Sequence, residues 1–151
     1  MRDIPGKLLG IFLAVALMII MPFVTVTVES SMIDRREIIM AVTDFIDEVV
    51  DSRNITDAML SKLNTDISSH GILVDYEIEH YCRSVDPDPL NPGDYYTTFV
   101  KDVKDIHEFQ KGDKISVHIF STGYSAAETI SHKLAGLFIP KLDETLTARI
   151  R

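Results

Sequence analysis

The 151 residues contain one cysteine, Cys82, and one thiol makes no intrachain disulfide. The chain is therefore not a disulfide-stapled secreted domain, and this cysteine usage fits a bacterial or archaeal envelope protein better than an animal ectodomain. Cys82 itself reads as an inert strand thiol. Ligand spacing is lacking too. His70, His80, His107, His118 and His132 are scattered, and no His-x-x-x-His, paired Cys-x-x-Cys or glycine-rich phosphate loop occurs. His80 and His118 are expected as cross-strand neighbours with packed, neutral roles. Ser121-Thr122-Gly123-Tyr124-Ser125 lacks the glycine-flanked nucleophile of a hydrolase. The expectation is no enzyme, no metal and no cofactor.

Positive charge is scarce where nucleic acid would need it. Past Val28 the chain carries 13 Lys and Arg against 22 Asp and Glu, a net charge of −9, with no basic stripe. Such a surface repels phosphates, which excludes nucleic acid as a partner and disfavours docking on anionic lipid beyond an anchor.

Charge is missing altogether from Leu8 to Val28, twenty-one consecutive residues. As a helix this run is roughly 30 Å long, the thickness of a bilayer's hydrocarbon core. It divides the chain into a leader or tail (1–7), a transmembrane helix (8–28) and one exported domain (29–151). Arg2 and Lys7 precede the run as in an export signal, but Ala14-Val15-Ala16 leaves only six apolar residues before a small-x-small site. An uncleaved single-pass anchor in the cell membrane is therefore expected, with the N-terminus cytoplasmic and the C-terminal domain extracytoplasmic. Pro22 removes a backbone hydrogen bond inside the run and predicts a kink near Met18 to Pro22, either simply tolerated or a point of adjustment. Gly10 and Ala14 form a small-xxx-small pair through which a second helix can approach closely.

Helical periodicity continues beyond the run. Ile38, Val42, Phe45 and Val49 recur at four, three and four residues, opposite Glu37, Asp44, Asp47, Glu48 and Asp51. Either this amphipathic helix continues the anchor as one rod of about 45 residues, or Ser30 and Ser31 cap a separate helix. A second helix begins at Thr56, with Met59, Leu60, Leu63 and Ile67 as its apolar stripe and Gly71 as its stop. Asn54-Ile55-Thr56 is explained more cheaply by this cap than as a glycosylation sequon.

Ile72 to Cys82 alternates as a half-buried antiparallel strand, with Ile72, Val74, Tyr76, Ile78 and His80 on one side. An irregular loop spans residues 86–94. Its Asp86, Asp88 and Asp94 offer oxygen ligands for a hard cation, but three prolines interrupt it and no closing glutamate follows, so a solvated turn is the plainer reading. Tyr95 to Phe109 is ambiguous: it begins extended, yet Phe99, Val103 and Ile106 suit a helix. Ile115, Val117 and Ile119 make a second strand. Ser125 to Leu137 reads as a helix with Ala126, Ile130, Leu134 and Leu137 on one side, and Leu146, Ala148 and Ile150 make a short last strand. The fold class is α+β: a long N-terminal transmembrane helix continuing into an amphipathic helix, then a small antiparallel three-stranded sheet packed with helices.

A short basic leader, one N-terminal membrane helix, an amphipathic extension and a small α+β domain together resemble type IV pilin-like proteins, most closely the TadE-type pseudopilins of tight-adherence pilus systems. Gly112-Asp113-Lys114-Ile115-Ser116-Val117 before an apolar strand is similar to small TadE-like proteins of Gram-positive bacteria and their mobile elements. The resemblance implies prepilin-peptidase cleavage between Gly10 and Ile11, after Lys7-Leu8-Leu9. It also implies helix packing during assembly through Gly10, Phe12, Ala14, Pro22 and Phe23. Val15 stands where the family has a glutamate at the fifth mature position, which implies a minor or assembly component rather than a major filament subunit. The implied partners are the membrane and other pilin-like single-helix proteins or an assembly platform. The alternative is a single-pass protein whose exported domain binds a ligand or partner as an accessory subunit.

Overall fold

A computed structural model describes residues 4–70, 72–91, 93–102, 108–136 and 140–151. Its first element, α1 (Ile4–Ser52), is one unbroken helix of 49 residues, about 73 Å long. Ser30 and Ser31 therefore lie within a helix and cap nothing. The helix passes Pro22 without interruption. Thr25 and Thr27, just beyond it, turn their hydroxyls back to donate to the carbonyls of Met21 and Phe23 (2.9 Å each), a way to hide a polar group in apolar surroundings.

α1 ends at Arg53, whose φ of 57° is the left-handed conformation that usually falls to glycine. Its amide donates to the Val49 carbonyl (2.7 Å), and its own carbonyl accepts from the Phe109 amide (3.0 Å). The chain then turns into α2 (Asp57–Ser68). Thr56 caps it by accepting from the Met59 amide at 3.3 Å, and Met59, Leu63 and Ile67 are buried, as their spacing requires. Its C-cap is Ser69; Gly71 lies outside the described residues.

The sheet has four antiparallel strands, one more than expected: β1 (Val74–Pro87), β2 (Tyr95–Asp102), β3 (Lys114–Ser121) and β4 (Asp143–Arg149), in spatial order β2-β1-β3-β4. The added strand is β2, paired with β1 from Pro87↔Tyr95 to His80↔Asp102. The run Tyr95-Tyr96-Thr97-Thr98-Phe99-Val100 is aromatic and β-branched, and the Asp88 amide donates to the Asp94 carbonyl (2.9 Å) where the chain returns onto β1, so strand pairing prevails over the spacing of Phe99 with Val103 and Ile106. Val103, Ile106 and His107 lie outside the described residues. β1 is correspondingly longer, and Asp86 and Pro87 belong to it rather than to the loop.

Register also separates the two histidines expected to be neighbours. His80 pairs with Ile115 and His118 with Glu77, which puts their side chains on opposite faces of the sheet. The inner face carries Val74, Tyr76, Ile78, Ile115, Val117, Ile119, Leu146 and Ala148. It packs on Ile38, Val42, Phe45, Ile46 and Val49 of α1 and on the stripe of α2. The outer face is polar: Tyr81 donates to Glu79 (2.7 Å), Lys101 pairs with Glu79, and His118 bonds Asp143 (2.8 Å).

The third helix, α3 (Ala126–Ala135), connects β3 to β4. Of the four residues expected on its apolar side, Ala126, Ile130, Leu134 and Leu137, Ile130 alone has a described side chain. Ile130 is 45% exposed, whereas Glu128 and Ser131 are buried; the side chains of Ala126 and Leu134, and all of Leu137, lie outside what is described. A polar anchoring contact, rather than apolar spacing, sets the rotation of this helix.

Candidate functional site

The largest exposed apolar surface is the first part of α1. From Pro5 to Phe23 no side chain is buried, and Phe12 (74%), Met18 (79%), Leu9 (69%) and Ile19 (68%) stand almost free. Among the described residues α1 is the one helix long and apolar enough to cross a membrane. Gly10, Ile11, Phe12, Ala14, Pro22 and Phe23 all lie on this bare stretch, and a Cβ added at Gly10 meets nothing within 4 Å. Burial begins at Val24 and follows one face through Thr27, Ser31, Ile38, Val42, Phe45 and Val49. The last four bring the amphipathic face together in the core.

Where the bare stretch gives way to the domain, α3 is fastened to α1 through Glu128. One carboxylate oxygen accepts from the Ser31 hydroxyl (2.5 Å) and from Arg35 (3.4 Å). The other accepts from the Ser125 amide at 2.9 Å, while the Ser125 hydroxyl accepts from the Glu128 amide at 3.1 Å, closing a capping box. Burial pushes the Glu128 carboxyl upward, but the Ser31 hydroxyl, the Ser125 amide and the Arg35 guanidinium outweigh it and hold the group below the ordinary glutamate range. The pattern Ser125-x-x-Glu128 was a visible signal for the cap. Nothing local pointed to Ser31 and Arg35, more than ninety residues away.

A second cluster lies at the middle of β1, where β2 finishes and β3 begins. His80 Nε2 meets Asp113 Oδ2 at 3.0 Å, and the Cys82 Sγ lies 3.8 Å from the same nitrogen and 3.7 Å from Asp102 Oδ2. Asp113 also accepts from the amides of Arg83 (3.0 Å) and Gln110 (2.8 Å). Burial raises the Asp113 carboxyl, and these two amides with His80 more than offset it, leaving the carboxyl below the ordinary aspartate range. The thiol and the Asp113 carboxylate both face the Nε2 of the His80 ring. In the sequence Asp113 stood out only within the phrase Gly112-Asp113-Lys114-Ile115-Ser116-Val117.

Asp86, Asp88 and Asp94 each make hydrogen bonds of their own. Asp86 accepts from the hydroxyls of Ser84 and Thr98, and Asp88 closes its own turn by accepting from the Leu90 amide (2.9 Å) and the Asn91 side chain (3.2 Å). The amide of Asp94 donates to the Asn91 carbonyl (3.1 Å). An open cleft of about 890 Å³ lies at the far end of α1, lined by Asp47, Asp51, Arg83, Lys111, Arg149 and Arg151 among others.

Compared with protein-family models, with curated proteins and with solved structures, the chain matches none.

Proposed function

We propose that this chain is a membrane-anchored, pilin-like structural or assembly component of a pilus or secretion apparatus in the cell envelope. The observation that carries the reading is α1: a bare apolar half joined without interruption to a half that forms the core of an α+β domain. A helix apolar all round is stable in lipid or against other helices, and assembly exchanges one set of contacts for the other. Gly10 and Ala14 offer a close-approach surface, while Phe12, Pro22 and Phe23 add shape. The resemblance to TadE-type pseudopilins supports the same arrangement, with Gly10–Ile11 as the processing junction. In this reading the N-terminus is cytoplasmic, the acidic domain is extracytoplasmic, and the partners are other pilin-like single-helix proteins or an assembly platform.

The experiment is intact mass and N-terminal sequence of the protein recovered from native membranes, with identification of co-purifying proteins. A chain beginning at Ile11 that brings down other single-helix proteins supports the proposal. A start beyond Val28 contradicts it, because no anchor then remains. A chain starting at Met1 without such partners favours the second reading, an accessory subunit. The observation behind that reading is the cleft, where Arg83, Lys111, Arg149 and Arg151 oppose the acidity of the rest of the domain and suit a carboxylate-bearing partner.

A further inference from the structure

We propose that His80, Cys82 and Asp113, with Asp102 beside Cys82, bind a divalent transition-metal ion, zinc by preference. His80 and Cys82 are two residues apart on β1, so they project from the same face of the strand. Cross-strand pairing of His80 with Asp102 brings the Asp102 carboxylate beside Cys82. Asp113 comes from the turn immediately before β3, which pairs with the other side of β1. Two strands and a turn thus deliver one nitrogen, one sulfur and two carboxylates.

The spacing suits tetrahedral coordination. Zinc bonds of about 2.3 Å to sulfur and about 2.0–2.1 Å to nitrogen or oxygen place neighbouring donors about 3.3–3.6 Å apart. The observed separations are 3.8 Å from sulfur to the ring nitrogen, 3.7 Å from sulfur to Asp102 and 3.0 Å from that nitrogen to Asp113. The donor atoms of His80, Cys82 and Asp113 all lie within 4.8 Å of one another. A mixed nitrogen, sulfur and oxygen set selects a borderline ion such as Zn²⁺ over Mg²⁺ or Ca²⁺, which prefer oxygen throughout.

The outer shell is in place as well. The amides of Arg83 and Gln110 hold both oxygens of Asp113, and the Phe109 ring, 4.4 Å from the His80 ring centroid, holds the imidazole. Asp34, Glu37 and His70 form a weaker set, because they are more exposed and carry no sulfur. Bound at the first cluster, the ion ties the middle of β1 and the end of β2 to the turn before β3. It is a structural staple, independent of the assembly role proposed above.

The test uses the full chain in detergent, titrated with Co²⁺ as a spectroscopic probe. We expect one equivalent to bind with a thiolate-to-cobalt charge-transfer band and tetrahedral visible bands, and Zn²⁺ to displace it. Cys82→Ser keeps the shape of a half-exposed side chain and so keeps the fold, which circular dichroism checks. It should abolish the charge-transfer band and weaken binding by about 100-fold. Zn²⁺ should raise the unfolding temperature of the native chain by several degrees and leave Cys82→Ser unmoved. Absence of the cobalt–thiolate band, or an equal response of Cys82→Ser to Zn²⁺, overturns the site.

Discussion

Phe12 and Phe45 stand on the same helix and meet opposite surroundings, the first 74% exposed and the second 4%. Around Phe45 the helix is two-sided, with Glu37, Asp44, Asp47, Glu48 and Asp51 on the face away from the sheet. Around Phe12 there is no charged side at all. Such a half has no water-facing surface to offer, and only an apolar medium or other helices stabilise it. One continuous backbone therefore carries two kinds of surface, and the change occurs between Val24 and Arg35, where α3 is pinned to it by Glu128.

The sharpest way to break this comparison is to truncate both phenylalanines. Phe45→Ala should cost about 3–5 kcal/mol of domain stability in denaturant unfolding, because it opens a cavity beneath the sheet. Phe12→Ala should change the same quantity by less than about 0.5 kcal/mol; equal losses would mean that the bare half belongs to a folded core. Next in size is Glu128→Ala, which removes a cap and strands Ser31 and Arg35. We expect a loss of about 2–4 kcal/mol, with faster hydrogen exchange in α3 than in the sheet.

The acid limb of stability follows from the same group. Glu128 and Asp113 titrate lower when folded than when unfolded, so their contribution is complete above the ordinary carboxylate range and is lost as pH falls through the lowered folded values. Stability should decline below about pH 4, and Glu128→Gln should flatten its share of that slope; an unchanged slope would remove Glu128 from the account. A modest gain is expected at Arg53, where Arg53→Gly relieves a left-handed backbone and should stabilise the domain by up to about 1 kcal/mol.

Periodicity made the helices, the inner face of β3 and the core stripe of α1 legible, because each rests on side chains repeating at the spacing of its own element. The fourth strand was not legible, since Tyr95–Asp102 gains its structure from pairing with β1 rather than from its own pattern. The rotation of α3 escaped for a related reason: its inward face is set by Glu128 meeting Ser31, a contact between distant parts of the chain. The same holds for the metal-ligand cluster. His80-x-Cys82 is visible in a line of sequence, but Asp102 and Asp113 join it only through strand register and a turn.

The chain contains no tryptophan, so Phe12→Trp gives a single reporter in reconstituted vesicles, with Tyr95→Trp on the exposed hairpin as its counterpart. Lipids brominated deep in their acyl chains should quench the tryptophan at position 12, while aqueous iodide should quench the one at position 95. Iodide quenching at position 12, with no effect of the brominated lipids, would contradict a helix that runs from the bilayer into the core of the domain.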